Sequence, residues 1–221
     1  MLGAEAAVVR SQFFSGTHAI ACALFGVLRP GDTLLAVSGP PYDTLDEVIG
    51  SRRPSEGNGG AYGVKVAYDA DGSAVEAAGS ESDFAFGALP LDGSLKEWGI
   101  HYQEVNLTAD GYFDLGAIDA ALDSNPTVRL IHVQRSCGYQ WRPSIPIAEI
   151  GKLCAHVKTR NAAQRAAAAA SPAGGDADAT SFKPLVVFVD NCYGELVEDV
   201  EPCAVGADLC AGSLIKNLGK P

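Results

Sequence analysis

Apolar residues return along this chain in two alternating rhythms. From Ser15 to Leu28 they recur at helical spacing behind Ser15-Gly16-Thr17, and Arg29-Pro30-Gly31-Asp32 stops the run, which predicts a helix with a marked beginning and end. Thr33 to Ser38 (TLLAVS) then reads as a short strand closed by Gly39-Pro40-Pro41, and Tyr42 to Gly50 as a second helix. The alternation continues with a strand over 100–105, a helix over 115–121, a buried strand over 127–134 (TVRLIHVQ) and a helix over 147–157. Residues 184–189 (PLVVFV) are the clearest strand, and 207–216 reads as a final short strand and turn.

Continuous β-branched and aromatic strands separated by helices predict an α/β fold, a mostly parallel sheet with helices on both faces. Ligands of such sheets sit at the carboxyl ends of the strands. Two stretches, about 51–95 and 159–180, are rich in Gly, Ala, Ser and acids and read as flexible surface inserts. A strand over 64–68 and helix in the alanine run are compatible with that reading. The whole of 1–221 is expected to be one domain.

Composition narrows the class. With 47% hydrophobic and 19% charged residues the chain has material for a globular core. A net charge of -11 with 16 scattered Lys and Arg disfavours nucleic acid, whose backbone needs clustered cations. Six cysteines without a CxxC pair do not resemble a disulfide scaffold, so reduced thiols in an intracellular, cytoplasmic setting are expected. The start, Met1 to Arg10, has an early acid and no long apolar run, so neither a signal peptide nor a membrane span is expected.

The candidate chemistry lies at both ends of the chain. Ser15-Gly16-Thr17 places a small turn directly before a helix, where free N–H groups and the helix dipole favour a phosphate; the plainer alternative is a helix cap. Asp190 follows PLVVFV and therefore stands at the mouth of the sheet, where its carboxylate suits a pyridinium, although a helix cap or metal ligand fits the position as well. Lys216 follows the small-residue turn Ala211-Gly212-Ser213, an arrangement that suits a Schiff base with pyridoxal phosphate, with Ser213 directed to the same phosphate. Glu195, Glu198, Asp199 and Glu201 have no histidine nearby and read as a solvated acidic face rather than a metal site. His18 reads as a packing residue.

SGTHAI, GPPYDTLDEVIG, GSLKEWGI, QRSCGYQWRPS, FVDNCYGELVE and EPCAVGADLCAGSLIKN, in this order, resemble the methionine gamma-lyase-related proteins also known as aluminium-resistance proteins. The resemblance implies the large domain of a fold-type I pyridoxal phosphate-dependent transferase. It implies Lys216 as the internal aldimine, Asp190 at the pyridine nitrogen, and Ser15, Gly16, Thr17 and Ser213 at the phosphate. It also implies Tyr42 stacked on the cofactor ring, in a catalytic as well as a binding role; a core tyrosine is the alternative. Arg135, with Ser136, is a candidate for the cofactor hydroxyl or a substrate carboxylate and equally for pairing with an acid. The family continues after SLIKN with a proline- and glycine-rich turn, whereas this chain reads Leu218-Gly219-Lys220-Pro221, so truncation before a small carboxyl-terminal domain is expected, with an amino-terminal portion absent as well.

The resulting expectation is a pyridoxal phosphate-dependent carbon-sulfur lyase of the cystathionine or methionine lyase kind, acting on a small sulfur-containing amino acid, with the full-length protein a homo-oligomer. An aminotransferase on the same scaffold and a catalytically incomplete, cofactor-binding fragment are the alternatives. A nucleotide-binding domain is disfavoured, since neither GxGxxG nor GxxxxGK[ST] is present.

Overall fold

A computed structural model describes residues 3–51, 93–170 and 182–217, together with the backbone of 67–68 and 74–75. The strands are β1 (Thr33–Ala36), β2 (Ala67–Tyr68), β3 (Ala74–Val75), β4 (His101–Glu104), β5 (Val128–Gln134), β6 (Val186–Asp190) and β7 (Leu209–Ala211). The helices are α1 (Gly16–Val27), α2 (Asp43–Ile49), α3 (Leu115–Ser124) and α4 (Ile147–Ala170), with a 3-10 helix at Pro202–Val205. β2 and β3 form a small antiparallel ladder, and the rest of the region between Ser51 and Gly93 lies outside the described residues, as do 171–181.

The main sheet has the order β4-β1-β5-β6-β7, and every pair in it is parallel. Alternate side chains of β1, β5, β6 and β7 feed two cores. Leu34, Leu130, Phe188 and Ala211 pack under Ile20 and Leu24 of α1 and Leu45 and Ile49 of α2. Leu35, Ile131, Val133, Val187 and Val189 pack against Ile118 of α3 and Ile150, Leu153 and Val157 of α4. Burial on both faces is why β1, β5 and β6 are predominantly apolar while the edge strand β4 (HYQE) is not, and the parallel sheet with helices on both faces is the predicted α/β architecture.

Helix ends follow local chemistry. The Ser15 hydroxyl caps α1 by accepting from His18 N at 3.1 Å, Asp114 caps α3 by accepting from Ala117 N at 2.9 Å, and Gly50 ends α2 in the left-handed region at φ 83°.

At two boundaries the described residues extend the fold into stretches read as inserts, the rest of which lies outside the described residues. α4 does not stop at Val157 but runs through the alanine stretch to Ala170, because alanine is the strongest helix former and nothing before Pro172 breaks the run. Ser94 and Leu95 belong to the fold: Leu95 N donates to Val48 O at 2.8 Å and its side chain is buried in the α1–α2 core.

Candidate functional site

β1 lies between β4 and β5, so the connections leaving β1 and β5 diverge and a crevice opens at their carboxyl ends. Two polar bonds span it: Gln134 N donates to Ser38 Oγ at 2.9 Å, and Tyr42 N donates to Gln134 Oε1. The Tyr42 ring stacks on Tyr139 with centroids 5.2 Å apart, and its hydroxyl donates to the Tyr139 hydroxyl at 2.9 Å. That hydrogen bond, with partial desolvation and nearby Asp43, pushes the Tyr42 phenol well above its ordinary value of 10.0.

Asp190 ends β6 in register with Gln134 on one side and Ala211 on the other. It is only 5% exposed, and its carboxylate accepts from Cys192 N at 3.0 Å and from the Cys192 thiol. Burial pushes the Asp190 carboxyl up from the ordinary range; the Cys192 hydrogen bonds and the charge of Lys216 act in the opposite sense. A buried acid in that condition is suited to a cationic N–H partner. Burial, with Asp190 beside it, also raises the Cys192 thiol strongly, so that Cys192 stays a neutral donor.

The start of α1 meets this corner. A Cβ on Gly16 would lie 2.7 Å from Cys192 Sγ and 3.8 Å from Ser213 Cβ, so only glycine lets the helix start approach so closely. The first N–H groups of a helix have no intrahelical acceptor; His18 N is taken by the Ser15 hydroxyl and Ala19 N by the Ser15 carbonyl. Gly16 N and Thr17 N remain as donors at the helix start, while the Thr17 hydroxyl shares a 3.0 Å bond with Thr44. Ser15, Gly16, Thr17, Asp190 and Ser213 are thus gathered at one edge of the sheet.

Lys216 reaches the same edge from the turn after β7. Its Nζ donates to the Tyr193 hydroxyl at 2.6 Å and lies 3.8 Å from the centre of that ring. Tyr193 and Leu196 hold left-handed backbone at φ 70° and 56°, a conformation that disfavours side chains with a Cβ. The Lys216 turn is anchored by Glu195, whose carboxylate accepts from Ser213 N and whose carbonyl accepts from Asn217 Nδ2 at 3.0 Å.

Three residues depart from the simplest sequence reading. Glu195 and Glu201 are buried rather than solvated, because each satisfies backbone and side-chain donors of the 191–217 loop; Glu201 accepts from Asn191 Nδ2 at 2.8 Å and Leu196 N at 2.6 Å. Arg135 takes the acid-pairing alternative. It is 3% exposed, and its guanidinium donates to Glu198 Oε1 at 2.6 Å, Asn191 Oδ1 at 2.8 Å, and the carbonyls of Gly194 and Ile145. Tyr193 and Cys192, which contact Lys216 and Asp190 respectively, were not singled out in the sequence, and the DNCYGE run directly after the strand was the signal for them.

His132, on the same side of the sheet as Asp190, is fully buried against Phe188 with neither ring nitrogen hydrogen-bonded. Burial lowers its pKa to about 4. A cavity of about 280 Å³ lies beside the Tyr42–Tyr139 pair, lined by Ser38, Asn106, Asp110, Gln140, Trp141 and Arg142. It contains neither Asp190 nor Lys216. No group of residues suited to a metal ion occurs among the described residues, and no helix among them is long and apolar enough to cross a membrane.

The sequence profile of the methionine gamma-lyase family matches residues 1–75, 88–164 and 180–221. The uncharacterized protein YnbB of Bacillus subtilis is 44% identical over 219 residues, 99% of this chain and 38% of that protein. A crystal structure of a Bacillus cereus protein superposes with a TM-score of 0.66 at 41% identity, over 98% of this chain and 39% of that one. The crystal structure of a carbon-sulfur lyase involved in aluminum resistance from Clostridium novyi NT does so with a TM-score of 0.65 at 36% identity, over 96% of this chain and 36% of that one. The chain therefore spans less than two-fifths of the length of these relatives.

Proposed function

We propose that this chain, which belongs to the methionine gamma-lyase family, binds pyridoxal phosphate and serves a carbon-sulfur lyase reaction on a sulfur-containing amino acid. The observation that carries the reading is the convergence at one sheet edge of a glycine-tight helix start, a buried acid with no cation in contact among the described residues, and a lysine whose Nζ donates to Tyr193, in the loop that leaves that acid.

The residues present fit the cofactor. Gly16 N and Thr17 N, with the hydroxyls of Ser15 and Ser213, would hold its phosphate, since both hydroxyl protons can be donated outward. Asp190 would hold a proton at its ring nitrogen, Lys216 would hold its aldehyde carbon, and Tyr42 would lie against its ring. When bound, pyridoxal phosphate supplies the electron sink that lets an α C–H bond and then a carbon–sulfur bond break.

The chain's own groups supply orientation and proton movement. Lys216 Nζ would be the base for the substrate α-proton, and the Tyr193 hydroxyl, 2.6 Å from it, would fix the position from which it acts. Glu195 keeps the Lys216 turn in place through Ser213 N. The Tyr42 phenol is protonated at neutral pH and would therefore act as a proton donor rather than a base, although the hydrogen bond to Tyr139 that raises its pKa makes it the weaker acid while that bond is kept. Arg135 braces the adjoining loop through Glu198, Asn191 and the carbonyls of Gly194 and Ile145, contacts that give it a structural role beside the site.

Assay of the full-length protein with sulfur amino acids decides the reaction. A lyase releases thiol, ammonia and a keto acid together. Keto acid that appears only with an amino-group acceptor, and without thiol, would instead establish an aminotransferase; cofactor uptake without turnover would establish a catalytically incomplete binding protein.

A further inference from the structure

On the sheet face opposite Asp190, two thiols meet. Cys203, in the 3-10 helix at Pro202–Val205, and Cys210, in β7, bring their sulfurs to 3.5 Å, the Cys203 thiol lying against Cys210. The chain between them reverses at Gly206, which adopts φ 109°, so the two cysteines face each other across a tight turn rather than along one element. Both are half-buried, and neither is spent on packing alone: Cys210 borders the α3–α4 core without being enclosed by it. The 3.5 Å sulfur separation is larger than the about 2.05 Å of a disulfide bond, so the pair stands as two thiols poised close to bonding distance.

We infer that Cys203 and Cys210 form a reversible thiol–disulfide site that exchanges with small-molecule disulfides. The two thiols have unequal roles. The 3.5 Å sulfur–sulfur contact sets the two thiols apart: Cys203 is lowered to about 7, which makes it the attacking thiolate near neutral pH, whereas Cys210 is raised and holds its proton. Cys154, the neighbouring cysteine of α4, is 5% exposed in the core and is pushed up to about 11 by burial, so it stays out of the exchange.

The exchange balances in two steps. The Cys203 thiolate attacks one sulfur of the external disulfide, forming a mixed disulfide and releasing one small thiolate. That thiolate takes the Cys210 proton; the Cys210 sulfur then displaces the second small thiolate from Cys203 and closes the internal bond. The protein dithiol loses two electrons, and one external disulfide is reduced to two thiols. The site is separate from the cofactor residues, so its failure and that of the proposed function are distinguishable.

The test is incubation of the folded chain with glutathione disulfide near neutral pH, alkylation of remaining thiols, digestion and mass mapping. The expected result is loss of two of the six thiols, found as a Cys203–Cys210 crosslink that dithiothreitol reverses. In Cys210→Ser the glutathione adduct should accumulate on Cys203, and in Cys203→Ser the Cys210 peptide should remain unmodified. A crosslink in which either cysteine pairs elsewhere, modification spread over all six, or no loss of these two thiols in the unsubstituted chain would overturn the inference, and this last measurement does not depend on either variant folding.

Discussion

Replacing His132 with leucine should flatten the acid dependence of stability by a definite amount. His132 lies at the centre of the sheet, fully buried, with both ring nitrogens unpaired and Phe188 against it. Burial lowers its pKa from the ordinary 6.5 to about 4, so the folded chain excludes a proton that the unfolded chain accepts. Protonation then favours unfolding: the contribution is fully present above about 6.5 and is lost as pH falls toward 4. Between about pH 7 and about pH 5 the linkage amounts to about 2 kcal/mol. Urea unfolding followed by circular dichroism at both pH values, for the parent and for His132→Leu, isolates this difference, because the other titrating groups are common to both chains. The variant should also lose nothing near pH 7, since an apolar group replaces an unpartnered polar one. Equal pH dependence in the two proteins would refute the reasoning and would mean that the folded imidazole accepts a proton.

Asp190→Asn should weaken pyridoxal phosphate binding roughly 10- to 100-fold, the equivalent of a charge-assisted bond of about 1.5–3 kcal/mol, without lowering the stability of the cofactor-free chain; an unchanged affinity in a spectroscopic titration would place the ring nitrogen elsewhere. Gly16→Val should impair binding of pyridoxal phosphate much more than of pyridoxal, because its Cβ would press on Cys192 Sγ at 2.7 Å in the phosphate corner; equal losses for both ligands would count against that corner. Glu195→Ala should destabilise the chain by about 1–3 kcal/mol in chemical denaturation by stranding the buried Ser213 N–H, and a neutral result would show that the Lys216 turn does not depend on this acid.

The strands and the helix starts were legible in the sequence because their chemistry is local. PLVVFV could only be buried on both faces, Ser15 and Asp114 cap the helices that follow them, and Asp190 marks a strand end whatever the rest of the fold does. The helix read over 147–157 extends further: low complexity suggests mobility while alanine favours helix, the alanine run was compatible with either, and the propensity prevails through Ala170. Glu195 and Glu201 were misjudged for a different reason. An acid run looks solvated until the loop closes and supplies the N–H groups of Ser213 and Leu196. The partners of Arg135 are likewise residues distant in the chain, Asn191, Gly194 and Glu198, which no spacing near Arg135 announces. The gathering of Gly16 with Cys192 and Ser213 is tertiary too; in the sequence it was available only through the family resemblance.

The central claim is that Lys216 and Asp190 serve one cofactor. Incubating the chain with pyridoxal phosphate, reducing with borohydride, digesting and mapping the modified lysine by mass tests it most directly. The account predicts a single phosphopyridoxyl group on the peptide containing Lys216, formed at lower cofactor concentration than in Asp190→Asn and absent from Lys216→Ala. Label distributed over other lysines of the folded chain, or label on Lys216 that is indifferent to Asp190, would contradict it.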